Sequence, residues 1–381
     1  TVSTKDLVIH PREQDLVIGT FGRAVWVLDD IRPLRALASD KSILNKDIKL
    51  FEPPTAYQAA YQQPTGSRFG GDALYNAENR KGGAMITYYL KEGKKKEDKA
   101  KDGEEDKAED AETSSAQASS AQEELSGVQK KDSVQFDFYD GDRLIRTLKY
   151  KTPEKAGFHR IYWYMDEKGS DRPSREISKD KNERGGRDVT PGTYKVKMSF
   201  GEQTDETMIT VKSDPRLTVS ETGTAEIYAT AEKLQQMTQT AADAVKQLVE
   251  SKNVANKYSK ELKELDKKKY KDQIKASGTI IKQIDSVMAL YIGKEDKRQG
   301  ITRNPEITVM QRIGNASGYV GSRPNGLTTT EKNLIKYAED DLKNALNKTN
   351  AFFTDKWKAY RESIEALEVS PFKKTKTFST N

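Results

Sequence analysis

Glycoside hydrolysis uses two carboxylates across a scissile bond, one of them kept protonated. The first pair to consider is Asp29-Asp30. Neighbours on a strand end point to opposite faces, which suits an acid and base poorly. Turn and capping roles fit them better. Arg23, at a Gly22-Arg23 turn, could grip a carboxylate, but one arginine is no cluster. It reads as a turn residue pairing with a neighbouring carbonyl or acid. Asp137, Asp140 and Asp142 could offer oxygens to calcium, yet their spacing is not that of a twelve-residue loop. Asp140-Gly141-Asp142 is already explained as a hairpin turn.

Tyr162, Trp163 and Tyr164 could stack on a sugar, although strand alternation sends one set into a core. With zero cysteines and only His10 and His159, thiolate sites are excluded and a zinc site would need carboxylates almost alone. His159, between Phe158 and Trp163, reads as a strand residue. No nucleophile has an activating motif beside it, and no glycine-rich phosphate loop follows a strand. Catalytic residues are therefore unassigned, and no cofactor or metal is expected.

The chain of 381 residues has room for two or three domains. Hydrophobic residues make up 34% and charged residues 33%, which calls for much solvated surface and some disorder. A net charge of +6 at this length, with bases and acids interleaved, argues against a nucleic-acid partner. No apolar run reaches the roughly 18 residues of a membrane span. No signal peptide occurs, and the first residue, Thr1, fits a processed end or a truncation.

Residues 6–30 open with a short apolar run, Asp6–His10, stopped by Pro11. Two β-rich runs follow, Asp15–Phe21 and Ala24–Asp29, whose tight connection predicts a hairpin. Val17, Thr20, Val25, Trp26 and Val27 are strand-favouring types. A hairpin region of about thirty residues cannot bury a core alone, so it must dock on something else. Residues 32–82 read as a connector with a strand near Ile48–Phe51. Residues 83–213 predict a β-sandwich of immunoglobulin or fibronectin type, with strands starting at Ala84, Val134, Leu144, His159, Thr193 and Glu206. The polar stretch 92–132 is expected to be a disordered insertion.

Residues 214–381 predict an antiparallel helical bundle. Ile227, Leu234, Ala241, Val245 and Leu248 share one helical face, as do Ile274, Ile281, Ile284, Met288 and Tyr291. Gly278 suggests a break or kink near the second stretch. Gly293–Gly326 reads as a polar link, and Thr328-x-x-Glu331 as a capping box opening the last helix. Its stripe runs from Ile335 through Leu342, Phe353 and Tyr360 to Leu367, ahead of Pro371.

HPREQDLVIGTFGRAVWVLDDIRPLRAL, beginning at His10, resembles the closing hairpin of Asp-box, sortilin-like β-propeller proteins. These occur in Bacteroidetes and are often labelled glycosyl hydrolases. GGAMITYYLK, Pro191-Gly192-Thr193-Tyr194, Asp214-Pro215-Arg216, RQGITRNPEI at 298–307 and DKWKAYRESIEAL at 355–367 follow in the same order. No Ser-x-Asp-x-Gly-x-x-Trp repeat is present. The resemblance implies a multidomain β and α chain. A closing propeller hairpin would occupy residues 1–31, ahead of the connector, sandwich and bundle. It also implies a secreted, periplasmic or cell-surface setting, with the rest of the propeller as partner. The expected function is a non-catalytic accessory region of that protein. The alternatives are one edge of a propeller glycosidase, or a module that binds glycans or cell-surface proteins.

Overall fold

The computed structural model describes residues 3–59, 80–93, 133–177, 183–295, 307–323 and 325–367. It is a mixed β and α chain with several sheets and several helices. Its contacts divide it into two compact units, residues 1–169 with 180–219, and residues 170–179 with 220–381.

The first unit opens with an antiparallel sheet of three strands in sequence order, β1 (Thr4–Ile9), β2 (Leu16–Thr20) and β3 (Val25–Leu28). The expected hairpin is β2–β3, and the run before Pro11 adds a third strand, Val8 opposite Val17. Helix α1 (Arg32–Ser39) follows, started by Pro33 in its first turn. A 3-10 turn (Lys41–Asn45) leads to β4 (Ile48–Leu50) and β5 (Ala56–Gln58). The expected connector thus carries a helix and two strands. Residues 60–79 of that connector lie outside the described residues, as do residues 94–132 of the insertion expected at 92–132.

Strands β6 (Ala84–Leu90), β7 (Ser133–Asp140), β8 (Arg143–Lys151) and β9 (Gly157–Trp163) come next. They are followed by β10 (Asp166–Lys168), β11 (Gly185–Asp188), β12 (Gly192–Phe200) and β13 (Gln203–Ser213). One sheet runs β5-β13-β12-β7-β8 and another β4-β6-β9, with β10-β11 a separate ribbon. Hydrogen-bond register puts β5 parallel to β13 and the other pairs antiparallel. Gly141, at φ +58°, makes the expected β7–β8 turn, in a conformation that costs glycine little.

Side chains from both larger sheets fill one core. Trp163, fully buried, stacks on Phe138 at 4.4 Å between ring centroids and meets Tyr194 edge-on at 5.6 Å. Its indole N–H donates to the Asp166 carbonyl at 2.9 Å. A smaller cluster of Ile43, Phe51 and Tyr89, with Ala36 and Leu37 of α1, packs beside the β4-β6-β9 sheet.

The second unit holds α2 (Glu221–Asp266), α3 (Lys271–Ile292), α4 (Val309–Gly321), α5 (Thr329–Ala351), a π-helical stretch (Phe352–Trp357) and α6 (Lys358–Glu365). They share one apolar core, including Leu234, Val245, Ile284, Ile313, Leu342 and Tyr360. Two results differ from expectation. Helix α3 runs unbroken through Gly278, which faces open space and costs only propensity there. The polar link contains α4, whose buried Val309, Ile313, Ala316 and Val320 form a helical stripe hidden in the sequence by three glycines. Residues 296–306 of that link, with most of RQGITRNPEI, and residues 368–381 with Pro371 lie outside the described residues.

Glu331 does act at the start of α5. Its carboxylate accepts the Thr328 N–H at 2.8 Å and pairs with Arg323 at 3.1 Å. Thr328, ahead of Arg323 in effect, holds that carboxyl down at about 2. A depressed carboxylate stabilises the fold above its unfolded pKa and loses that effect as pH falls through the folded value. The helical unit should therefore lose stability as pH drops from about 4.5 towards 2, and Glu331→Gln should flatten that slope in denaturant titrations. Trp163→Ala should cost about 3–5 kcal/mol, read from the denaturant midpoint of the sheet unit.

Candidate interaction surface

The sheet β1–β3 has an unusual arrangement of side chains. Register places Leu7, Ile18 and Trp26 side by side, and Ile9, Leu16 and Leu28 two residues along on the same face. The opposite face carries Val8, Val17 and Val27, with Val25 beyond. Both faces are therefore apolar. An antiparallel sheet with one wet face alternates apolar and polar residues, whereas strands covered on both sides read as continuous apolar runs.

Here the apolar side chains remain in water. Leu7 is 58% exposed, Trp26 57% and Val27 57%, and the central strand is half-buried throughout. Among the described residues, no strand pairs with the outer edge of β1 or of β3. Covering each such side chain would contribute about 1.5–3 kcal/mol when burial is complete.

What holds this sheet to its unit is polar. Asp30, at φ +49°, is buried, and its carboxylate accepts from Arg32 at 2.6 Å. Its own N–H donates to the Asp15 carboxylate at 2.8 Å, and the Ile31 N–H donates to the Gln14 carbonyl at 2.9 Å. The Arg32 guanidinium also reaches the Glu13 carbonyl at 3.1 Å and the Arg12 carbonyl at 3.2 Å. From β9, Arg160 donates to the carbonyls of Asp29 and Asp30. Asp30 is thus engaged at the hairpin's end by Arg32, and Asp29 offers its carbonyl.

The remaining sequence candidates are dispersed. Arg23 is exposed at the turn, where its carbonyl accepts the Trp26 indole N–H at 3.1 Å. Asp137 is buried and accepts from Gln135 and from the Thr147 hydroxyl at 2.7 Å, while Asp140 pairs with Arg143 at 3.0 Å. Among the described residues, no group of three or more His, Cys, Asp or Glu could hold a metal ion. The His10 ring accepts the Glu13 N–H at 3.1 Å, and the His159 ring contacts the Lys155 carbonyl at 2.9 Å. Trp163 is in the core, Tyr162 is half-buried, and Tyr164 is 68% exposed.

An ionic cluster on the β10-β11 ribbon was not foreseen. On one side Glu167 takes both guanidinium arms of Arg143, at 2.8 and 3.1 Å, and Arg187 at 3.1 Å. On the other side Asp166 and Asp188 are register partners, with Arg146 3.8 Å from Asp166. Met165, at φ +59°, turns the chain between β9 and β10 and is held by the Val189 N–H at 2.8 Å. A Cβ on Gly185 would meet the Asp166 carboxylate at 2.2 Å, so any larger residue there would make that carboxylate move. Burial pushes Asp166 up, with Arg146 opposing the shift. Asp188 is raised as well, by partial desolvation ahead of the Asp166 charge, although it stays exposed at its end of the ribbon. The signal available in the sequence was only two short polar stretches, Asp166-Glu167-Lys168 and Arg187-Asp188.

Comparison of the chain with known protein families, with characterised proteins and with solved structures yields no match in any of the three. Within the described residues, no helix is long and apolar enough to cross a membrane.

A raised carboxylate pKa penalises the folded state above that pKa, and the penalty vanishes below the unfolded value. Asp188→Asn should therefore stabilise the sheet unit slightly at neutral pH, since solvent screens most of the penalty at this exposed carboxylate, and the gain should disappear as pH falls below the ordinary aspartate range. Urea midpoints measured across pH check it, and a neutral-pH loss would contradict the placement of Asp188.

Proposed function

We propose that this chain is a non-catalytic structural and interaction region of an exported β-propeller protein. The observation that carries this is the three-stranded sheet with two apolar, water-facing surfaces. A propeller blade is typically a four-stranded sheet covered by a neighbouring blade on each face. Three strands with both faces apolar suit a blade one strand short, completed and covered by the rest of a propeller.

Other features support the remaining parts of the proposal. Tyr194, at the start of β12, donates its hydroxyl to the carbonyl of Thr190, four residues upstream, at 2.5 Å. A tyrosine bonded back to the preceding backbone, beside a central buried tryptophan, is a feature of immunoglobulin-type sandwiches. The helices around a single core fit an antiparallel bundle. On this reading the partner is the remainder of the propeller, and the setting is secreted, periplasmic or at the cell surface. The carboxylates and arginines near the hairpin are engaged in holding the sheet, which favours bracing over hydrolysis.

The gene offers the direct test: coding sequence upstream of Thr1 should specify repeated four-stranded blades, and an in-frame start at this position would overturn the proposal. In the chain alone, Trp26→Ser with Val27→Thr should reduce binding of an apolar dye and leave the melting of the other strands unchanged. In the longer protein the same pair should destabilise by about 3–5 kcal/mol, the cost of removing buried apolar side chains. Silence there would count equally against it.

A further inference from the structure

The end of the second unit formed by α2, its connecting turn and α3 concentrates positive charge. Between Lys257 and Lys275 there are eight lysines against four carboxylates, whereas the whole chain carries only +6. Lys267, Lys268, Lys269 and Lys271 crowd the turn itself, and all four are exposed. None of the four makes an ion pair among the described residues. Lysines elsewhere on these helices do, as in Lys252 with Asp285 at 2.6 Å and Lys233 with Glu339. Asp266, exposed at the end of α2, accepts the N–H groups of Lys268 and Lys269 at 2.9 and 3.0 Å. Those two bonds hold its carboxyl below the usual range, so it keeps the turn in shape.

Two apolar side chains share this end. Leu265 is 43% exposed, one residue before the turn, and Tyr258 is 41% exposed two helical turns earlier. Lys269 lies over the Tyr270 ring at 5.0 Å. A four-residue turn joining two packed helices forms a blunt, convex end, too short to follow a nucleic-acid backbone. Clustered lysines beside the exposed Leu265 suit a flat anionic surface, where the charges meet phosphates and the leucine reaches the acyl boundary.

We infer that the Lys267–Lys271 turn is a peripheral docking point for a bilayer bearing anionic phosphate headgroups. It touches the surface without spanning it. This inference stands on the helical unit alone and does not depend on the propeller proposal.

The test is co-sedimentation of the full chain with vesicles of phosphatidylcholine mixed with phosphatidylglycerol, against phosphatidylcholine alone. The chain should pellet with the anionic vesicles only, and added salt should weaken binding. Replacing Lys267, Lys268 and Lys269 together by Glu should lower the affinity about 100-fold. These side chains are exposed, so the helical circular dichroism and melting point should not change. Leu265→Ser should weaken binding by a smaller factor, and inorganic phosphate should release the chain no more than sodium chloride of the same ionic strength. Equal binding to both vesicle types, no binding to either, or a triple variant that binds like its parent would overturn the inference. So would tighter binding to duplex DNA than to the vesicles, or release by free phosphate beyond that caused by chloride of equal ionic strength.

Discussion

Apolar surface and water are kept apart in most of this chain by ordinary means, with sheets and helices each facing one core. The β1–β3 sheet is the departure on which the functional account depends. Its two apolar faces would be costly if they were free surface, because each exposed large side chain forgoes stabilisation. The chain nevertheless fixes this sheet through buried polar bonds at its base, from Asp30, Arg32 and Arg160. A loosely attached flap would not need a buried, left-handed aspartate and an arginine reaching across from another sheet. On the proposed function, fixing the base while leaving the faces uncovered would set the sheet's position before a partner arrives. Preorganisation of this kind lowers the entropy cost of docking.

Local pattern carried much of the fold. Strand alternation placed β6, β7, β8, β12 and β13 within a few residues, and three/four spacing placed α2, α3 and α5. What stayed hidden had a physical reason in each case. Helix α4 contains Gly314, Gly318 and Gly321, which lower its propensity, yet its four buried side chains supply the stabilisation. Strand β5 is three residues long and is recruited by β13, a pairing too distant in sequence for any local signal. The continuity of α3 through Gly278 shows the converse, a propensity cost overridden by packing on both sides of it.

The site was legible only as composition. Apolar runs near the start of the chain announced a sheet in need of cover, but not that both faces would be apolar. That follows from register, which pairs Leu7 with Ile18 and Trp26 and so sorts the valines to the other face. The ionic ribbon was less visible still. Arg143, Glu167 and Arg187 come from three strands, and their meeting is a product of tertiary structure.

The fate of the titratable groups bears on the kind of activity to seek. Asp30, Asp137, Glu167 and Glu331 are each buried with their oxygens already engaged by arginine, threonine or backbone donors. A carboxylate so satisfied is costly to redirect towards a substrate, because the donor left behind would be buried without a partner. At the surface, the groups left uncovered include apolar side chains on β1–β3 and lysines at the α2–α3 turn. One surface is driven by burial of area and is nearly indifferent to salt, while the other is driven by charge and is screened by it. Ionic strength therefore separates the two contacts experimentally, even when both are made by the same molecule.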